Sequence, residues 1–175
     1  MNDKTETLNL LISHFAKDYE TAAAHKKIRP RLGNTMAINY MRERQTLTFL
    51  LHPELKKTAY EIGYLIGVDV TSDLIRGKSL PEIMDSNQPI ANKDGYALEE
   101  IVEADETHAV YRHYECADCY GLPNIHEKIC VYEAGVAAGM FSTALGRPVH
   151  VTETKCCANG DEYCEFLVET DTAAS

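Results

Sequence analysis

One stretch near the end of the chain decides how its last third folds: Glu153-Thr154-Lys155-Cys156-Cys157-Ala158-Asn159-Gly160-Asp161-Glu162-Tyr163-Cys164. Asn159-Gly160-Asp161 is strong turn chemistry, and it lies between β-type segments that contain Val151 and Val168. The pattern predicts a β-hairpin that brings Cys156 and Cys164 together. Two thiols at a hairpin mouth, with Glu153 on the incoming strand, make most of a zinc site, because thiolates prefer zinc to calcium or magnesium. Spacing alone leaves an alternative open, in which the cysteines are buried and inert and the glutamate is solvated.

The composition limits the classes of function. The chain has 175 residues, 45% of them hydrophobic, which suits one core of ordinary size. Its formal net charge of -10 argues against nucleic acid and against anionic membrane surfaces, since both attract clustered Lys and Arg. No apolar run could span a bilayer and the N-terminus does not resemble a signal peptide, so we expect a cytoplasmic protein. Cytoplasmic thiols stay reduced, so the six cysteines indicate metal or redox chemistry before disulfides.

The first half of the chain is predicted to be helical. Apolar spacing predicts helices over about 5–24, 35–44 and 54–74, the last of which contains Gly63 and Gly67. These glycines indicate close packing against another element or room for a bound molecule. The stretch 77–95 is rich in Gly, Pro and Asn, which predicts a turn-rich connection with at most a short helix over about 81–85.

Two strands and a long helix are predicted in the second half. Strands over about 96–102 and 109–114 place Tyr111 and His113 on one face, although a strand histidine is as consistent with a surface position as with a pocket. The helix is predicted over about 124–145, with Gly146 ending it. Its Ala- and Gly-rich segment 134–139 either packs tightly on another element or leaves space for a ligand.

Motifs in the last third resemble the 4-vinyl reductase domain, also called the hydrocarbon-binding domain. They are Gly121-Leu122-Pro123, Cys130-x-Tyr132-Glu133-Ala134-Gly135 with Gly139, Val151-x-Glu153-x-x-Cys156, and Gly160-Asp161-x-x-Cys164-x-Phe166. The resemblance implies an α+β fold in which helices pack an antiparallel sheet, of the NO-signalling and Golgi-transport ligand-binding type. It also implies kinship with the sensory domains of phenol-responsive activators and with Golgi-transport tethering subunits. We expect an N-terminal helical extension at 1–28, a ligand-binding domain at 29–170 with a zinc-stapled part at 121–168, and a disordered tail at 171–175.

The resemblance also implies a set of metal ligands. In the phenol sensors a structural zinc is held by Cys, Glu, Cys and Cys, and that spacing fits Cys130, Glu153, Cys156 and Cys164 here. A site with four protein ligands has no open position, so this zinc would stabilise the fold and perform no chemistry.

Three further cysteines, Cys116, Cys119 and Cys157, depart from the family's pattern. The Cys116-x-x-Cys119 pair could be half of a second metal site or a redox dithiol. It could also join Cys156 and Cys164 in a four-cysteine zinc site.

The expected function is that of a small-molecule-binding sensory module, and no catalytic residue is predicted. The ligand is expected to be apolar or aromatic, held between the sheet, the helix around Gly63 and the small-residue face of the helix predicted over 124–145. The candidate lining residues are Tyr64, Tyr111, His113, Met140 and Phe141. A redox or tetrapyrrole-related reductase or carrier remains an alternative, and so does a tethering or scaffold subunit. The apolar stripe of the first helix predicts a homodimer.

Overall fold

The computed structural model describes residues 2–23, 29, 31–32, 36–71 and 75–170. The helices within these ranges are α1 (Asn2–Ala23), α2 (Met36–Leu51), α3 (Leu55–Val70), α4 (Leu80–Asp94) and α5 (Val131–Leu145). The strands are β1 (Leu98–Ala104), β2 (His108–Tyr114), β3 (Val149–Lys155) and β4 (Cys164–Thr170), with a 3₁₀ turn at Cys157–Asn159. The tail predicted at 171–175 and the domain boundary predicted at residue 28 lie outside the described residues.

The four strands form one antiparallel sheet in the order β1-β2-β4-β3. The predicted hairpin joins β3 to β4, and Gly160 takes the left-handed conformation that its turn needs, with φ at 90°. One face of the sheet is buried by α4 and α5, as in β2, where Ala109, Tyr111 and His113 point inward. The predicted α+β class, an antiparallel sheet packed by helices, is confirmed.

Helices α3 and α5 touch backbone to backbone through glycines. A Cβ atom added at Gly63, Gly67, Gly135 or Gly139 would overlap a backbone carbonyl oxygen of the opposite helix. The glycines therefore allow close helix packing, and the expectation that a ligand lies between α3 and the small-residue face of α5 is wrong. Backbone atoms already occupy that space.

Helix α5 is shorter than predicted. It begins at Val131 and not near residue 124, so Cys130 occupies the N-cap position and does not lie inside the helix. The preceding segment uses its backbone polar groups elsewhere: the Ile125 N–H donates to the Ala158 carbonyl oxygen at 2.8 Å, and His126 has a left-handed φ of 58°. Gly146 ends the helix in the left-handed conformation, as predicted.

Helix α4 is the largest departure from the sequence prediction, which expected a turn-rich connection there. A capping box starts it: the Ser79 and Glu82 side chains each bond the other residue's backbone N–H, and Pro81 lies in the first turn, where a missing N–H costs nothing. Gly95 ends it with a left-handed φ of 73°. Pro and Gly here mark the two ends of a 15-residue helix.

The N-terminal helix packs on the rest of the chain. Leu11 and Phe15 of α1 are buried in the same hydrophobic core as Phe49 of α2. Leu10 and Ile12, on the other side of α1, remain exposed. Within the described residues, no helix combines the length and apolarity that a membrane span requires.

Candidate functional site

Five thiols and one carboxylate gather between the start of α5 and the β3–β4 hairpin. They belong to the turn after β2, the N-cap of α5, strand β3, the residue that follows β3, and the start of β4. All six side chains are buried: Cys116, Cys119, Cys130, Glu153, Cys156 and Cys164. This cysteine cluster could hold a metal ion, because each of two overlapping groups of four ligand atoms lies within 4.8 Å.

One group consists of the four ligands that the resemblance implied: Cys130, Glu153, Cys156 and Cys164. The Cys130 Sγ atom lies 3.9 Å from that of Cys156 and 3.8 Å from that of Cys164. A tetrahedron around a thiolate-bound zinc has edges of about 3.8 Å, since Zn–S bonds are about 2.3 Å long. The structure thus brings these residues together at a spacing that suits the ion.

Glu153 has one oxygen that the protein leaves unpaired. Its Oε2 atom accepts a hydrogen bond of 3.0 Å from the Cys130 N–H, whereas its buried Oε1 atom has no hydrogen-bond partner among the described residues. Burial, with the nearby Cys156 thiol, raises the pKa of Glu153 to about 10. An unpaired buried carboxyl oxygen beside three thiols fits a zinc ligand, because a cation there would offset the cost of burial.

The second group consists of Cys116, Cys119, Cys130 and Cys164. It differs in one member from the four-cysteine site considered from the sequence, because Cys130 takes the place of Cys156. The Sγ atoms of Cys116 and Cys130 are 3.7 Å apart, and those of Cys119 and Cys164 are 3.1 Å apart. Cys157 belongs to neither group, and its Sγ atom lies 3.7 Å from the Glu162 carbonyl oxygen.

A cavity of about 220 Å³ lies between α4, α5 and the sheet. Four of the five predicted pocket residues line it: Tyr111, His113, Met140 and Phe141. Tyr64 does not, because α3 packs on the glycine face of α5, and Tyr64 lines a surface groove beside Tyr60 and Leu65.

The cavity wall carries several polar atoms that lack partners. The His113 Nε2 atom is 3.1 Å from the Glu99 Oε2 atom, and both side chains are buried. Three other buried atoms have no hydrogen-bond partner among the described residues: Glu99 Oε1, His113 Nδ1 and the Tyr111 hydroxyl. Buried polar atoms are normally satisfied, so three unpaired ones around one cavity point to a ligand that supplies the missing partners.

The charges in the cavity follow from burial and from the Glu99–His113 pair. Burial lowers the pKa of His113, but the hydrogen bond from Glu99 and nearby carboxylates outweigh it, so the net pKa is raised. His113 is therefore an imidazolium near neutral pH, and its free Nδ1–H is a donor. Burial raises the pKa of Glu133, a further cavity residue, to about 7, and keeps the Tyr111 hydroxyl neutral by raising its pKa well above the usual value.

Sequence reasoning missed part of this cavity. Glu99 lies directly opposite His113 in the β1–β2 register, which only the strand pairing reveals. Glu133 stood inside a quoted motif, and its position on α5 one turn before Ala137 was the signal that could have identified it. The α4 wall, with Ile90 and Ala91, was missed because no helix was predicted there.

The cavity and the cysteine cluster share a wall. His113 of the cavity is paired with Cys164 of the cluster in the β2–β4 register. The Tyr96 hydroxyl lies 4.0 Å from the Cys116 Sγ atom and donates a 2.6 Å hydrogen bond to Asp118. A change on one side of this wall therefore meets residues of the other side directly.

The stretch from β2 to β4, which contains the whole cluster, decides the family. Residues 109–170 match the 4-vinyl reductase domain. The resemblance to that family is thereby confirmed, and the matched residues contain both the hairpin and α5. The remaining α4 and β1 walls of the cavity precede the matched residues.

Relatives of the chain extend beyond the matched 4-vinyl reductase domain. The uncharacterised protein MJ0150 of Methanocaldococcus jannaschii is 29% identical over 171 residues, which are 98% of this chain and 97% of the relative. Two solved structures share the fold. The phenol-responsive sensory domain of the transcription activator PoxR, solved with phenol, has a TM-score of 0.60 at 15% identity, with 78% of this chain and 75% of that one covered. A vinyl-4-reductase family protein from M. jannaschii has a TM-score of 0.51 at 18% identity, with 73% and 78% covered.

Proposed function

We propose that this chain is a small-molecule-binding sensory module whose ligand occupies the cavity between α4, α5 and the sheet. The observation that carries the proposal is the set of three unpaired polar atoms on the wall of an otherwise apolar cavity, from Glu99, Tyr111 and His113. The PoxR domain, which shares this fold, is a sensory domain solved with phenol, and this supports the same use of the fold.

The cavity chemistry narrows the ligand class. Ile90, Val136, Met140 and Phe141 offer an apolar surface, so the body of the ligand is an apolar or aromatic group. The Tyr111 hydroxyl and the His113 Nδ1–H can donate to it, and Glu99 Oε1 can accept from it, so the ligand carries at least one hydroxyl or similar group. A volume of about 220 Å³ lies below the roughly 300–1,000 Å³ of pockets for drug-sized molecules, so the ligand has one or two rings.

The proposal includes a structural zinc held by Cys130, Glu153, Cys156 and Cys164. The ion would join the N-cap of α5 to the β3–β4 hairpin, and zinc bound by four protein groups supplies stability and no catalysis. The unpaired Glu153 Oε1 atom and the sulfur spacing support it. Lys128 donates a 2.8 Å hydrogen bond to the Glu153 carbonyl oxygen, which places a cation beside the negative ligand set.

The homodimer, the cytoplasmic location and the absence of nucleic-acid and membrane partners stay predictions. The dimer rested on the apolar stripe of α1, whose Leu11 and Phe15 are buried within the chain, while Leu10 and Ile12 stay exposed. Light scattering over a wide range of concentrations tests it, and a mass of 19.6 kDa throughout would exclude the dimer.

Paired compounds test the ligand proposal. Calorimetric titration of the zinc-loaded protein with phenol and with toluene, which differ by one hydroxyl group, should show at least 10-fold tighter binding of phenol, equivalent to about 1.4 kcal/mol. Tyr111→Phe should reduce that preference, because it removes a hydroxyl that faces the ligand. If neither phenol, toluene nor a wider panel of one- and two-ring compounds binds the parent protein or raises its melting temperature, the sensory function is wrong.

Metal and pigment analysis test the rest. Protein purified without chelator should contain zinc, and its absence would sink the structural site. A visible absorption band from a flavin, a haem or another tetrapyrrole in the fresh protein would instead favour the reductase or carrier alternative.

A further inference from the structure

The two groups of metal ligands in the cysteine cluster share two members. Cys130 and Cys164 belong to both, whereas Cys116 and Cys119 complete one group and Glu153 and Cys156 complete the other. The union is six ligands. Two tetrahedra that share an edge need the same number, two bridging atoms and two terminal ligands for each ion.

We propose that the cluster is a binuclear centre, in which Cys116 and Cys119 hold a second zinc ion and the Cys130 and Cys164 thiolates bridge the two ions. The inference rests on the proposed structural zinc at Cys130, Glu153, Cys156 and Cys164 and adds a second position to it. A thiolate can bridge because its sulfur carries more than one lone pair.

The sulfur positions suit a shared edge. The bridging pair, Cys130 and Cys164, is separated by 3.8 Å, which matches the edge of about 3.8 Å expected for a thiolate tetrahedron around zinc. Cys116 lies 3.7 Å from Cys130, at the same spacing. Cys119 lies 3.1 Å from Cys164, so the second ion would displace its sulfur outward by about 0.7 Å to reach the expected edge.

The surroundings can carry the charge. Five thiolates and one carboxylate carry six negative charges, and two zinc ions offset four of them. Arg29 lies on the side of Cys116, where its Nε–H donates a 2.7 Å hydrogen bond to the Glu115 carbonyl oxygen, and Lys128 lies on the side of Glu153. One cation thus faces each half of the centre.

Native mass spectrometry of the full chain reconstituted with zinc alone tests the stoichiometry. The wild-type chain should bind two zinc ions, the double variant Cys116→Ser/Cys119→Ser one, and the double variant Glu153→Gln/Cys156→Ser one. Cys157→Ser is the matched control and should retain two, because Cys157 belongs to neither group.

The outcomes separate the two proposals. One zinc in the wild type that persists in Cys116→Ser/Cys119→Ser would overturn the second position and keep the structural site. One zinc that is lost in that variant would overturn both, because the ion would then occupy the four-cysteine group. No zinc at all would also overturn both.

Cobalt substitution gives a readout on the wild-type chain, which needs no variant to fold. The electron paramagnetic resonance signal of Co²⁺ should grow up to one equivalent and then fall as the second ion enters, because bridging thiolates couple the two spins antiferromagnetically. A signal that grows steadily to two equivalents would show two ions without a shared bridge and would overturn the binuclear centre.

Discussion

Two faces of α5 use similar small residues for opposite purposes. Gly135 and Gly139, one turn apart, bring α3 so close that no ligand could lie between the helices. Glu133, Ala137 and Phe141, each one turn from the next, line the cavity against α4 and the sheet. On one face missing side chains admit a backbone, and on the other short side chains leave a cavity. A small-residue segment therefore reveals nothing about ligand binding until the neighbours of each face are known.

Adding volume to the glycine face should have the largest effect. Gly139→Val should lower the free energy of unfolding by about 3 kcal/mol or more, because its Cβ would overlap the backbone carbonyl oxygen of Tyr64, which cannot move aside as a side chain can. Urea denaturation measures it. Ala137→Val, on the cavity face, is the control and should cost less than about 1 kcal/mol. Equal losses in both variants would contradict the difference between the faces.

The second effect concerns the charge on the cavity face. The pKa of Glu133 is raised from 4.5 to about 7 by burial, so the unfolded chain ionises first as the pH rises. The stability of the native state is thus fully present below about pH 4.5 and declines until about pH 7, by up to roughly 3 kcal/mol.

Glu133→Gln should remove this decline and make the zinc-loaded protein more stable than the parent at pH 8, but not at pH 4.5. The charged groups near Glu133, namely His113, Glu99 and Cys116, are the same in both proteins, so the difference between their melting temperatures isolates Glu133. A difference that does not change between pH 4.5 and 8 would contradict the buried carboxyl.

A third test compares neighbouring alanines on α5. Ala137→Leu should fill part of the cavity and weaken ligand binding at least 10-fold with little loss of stability, because empty space accepts the added atoms. Ala138→Leu should instead cost roughly 1–3 kcal/mol, since Ala138 is fully buried in the packed core. Calorimetry and thermal melts report the two properties. Loss of stability in both variants, with binding unchanged, would show that the ligand lies elsewhere.

The smallest effect is expected at Tyr64. Tyr64→Leu should change ligand affinity less than twofold, because the side chain lies on α3 outside the cavity. Phe141→Leu is the matched variant on the cavity wall and should weaken the binding of aromatic compounds more strongly. Affinity that depends on Tyr64 as much as on Phe141 would restore the ligand to the α3 side.

Agreement between sequence and structure is closest where interactions are local. Asn159-Gly160-Asp161 forms the predicted turn, and the alternation of β2 places Tyr111 and His113 on one face, as predicted. In α4, Ser79, Pro81 and Glu82 carried a correct start signal that the density of Pro and Gly concealed. Helix α5 began later than predicted because the segment before it bonds to the hairpin, a partner more than thirty residues away.

By itself, the sequence determined the antiparallel hairpin, the helical first half and the gathering of Cys156 and Cys164, since these follow from turn chemistry and from periodicities over a few residues. Tertiary structure alone decided which face of α5 packs on α3, and therefore where the cavity lies and that Tyr64 is outside it. It also decided that Cys116 and Cys119 approach Cys130 and Cys164. The physical reason is that a helix or strand pattern specifies a buried face, while the partner of that face depends on how distant elements fill space together.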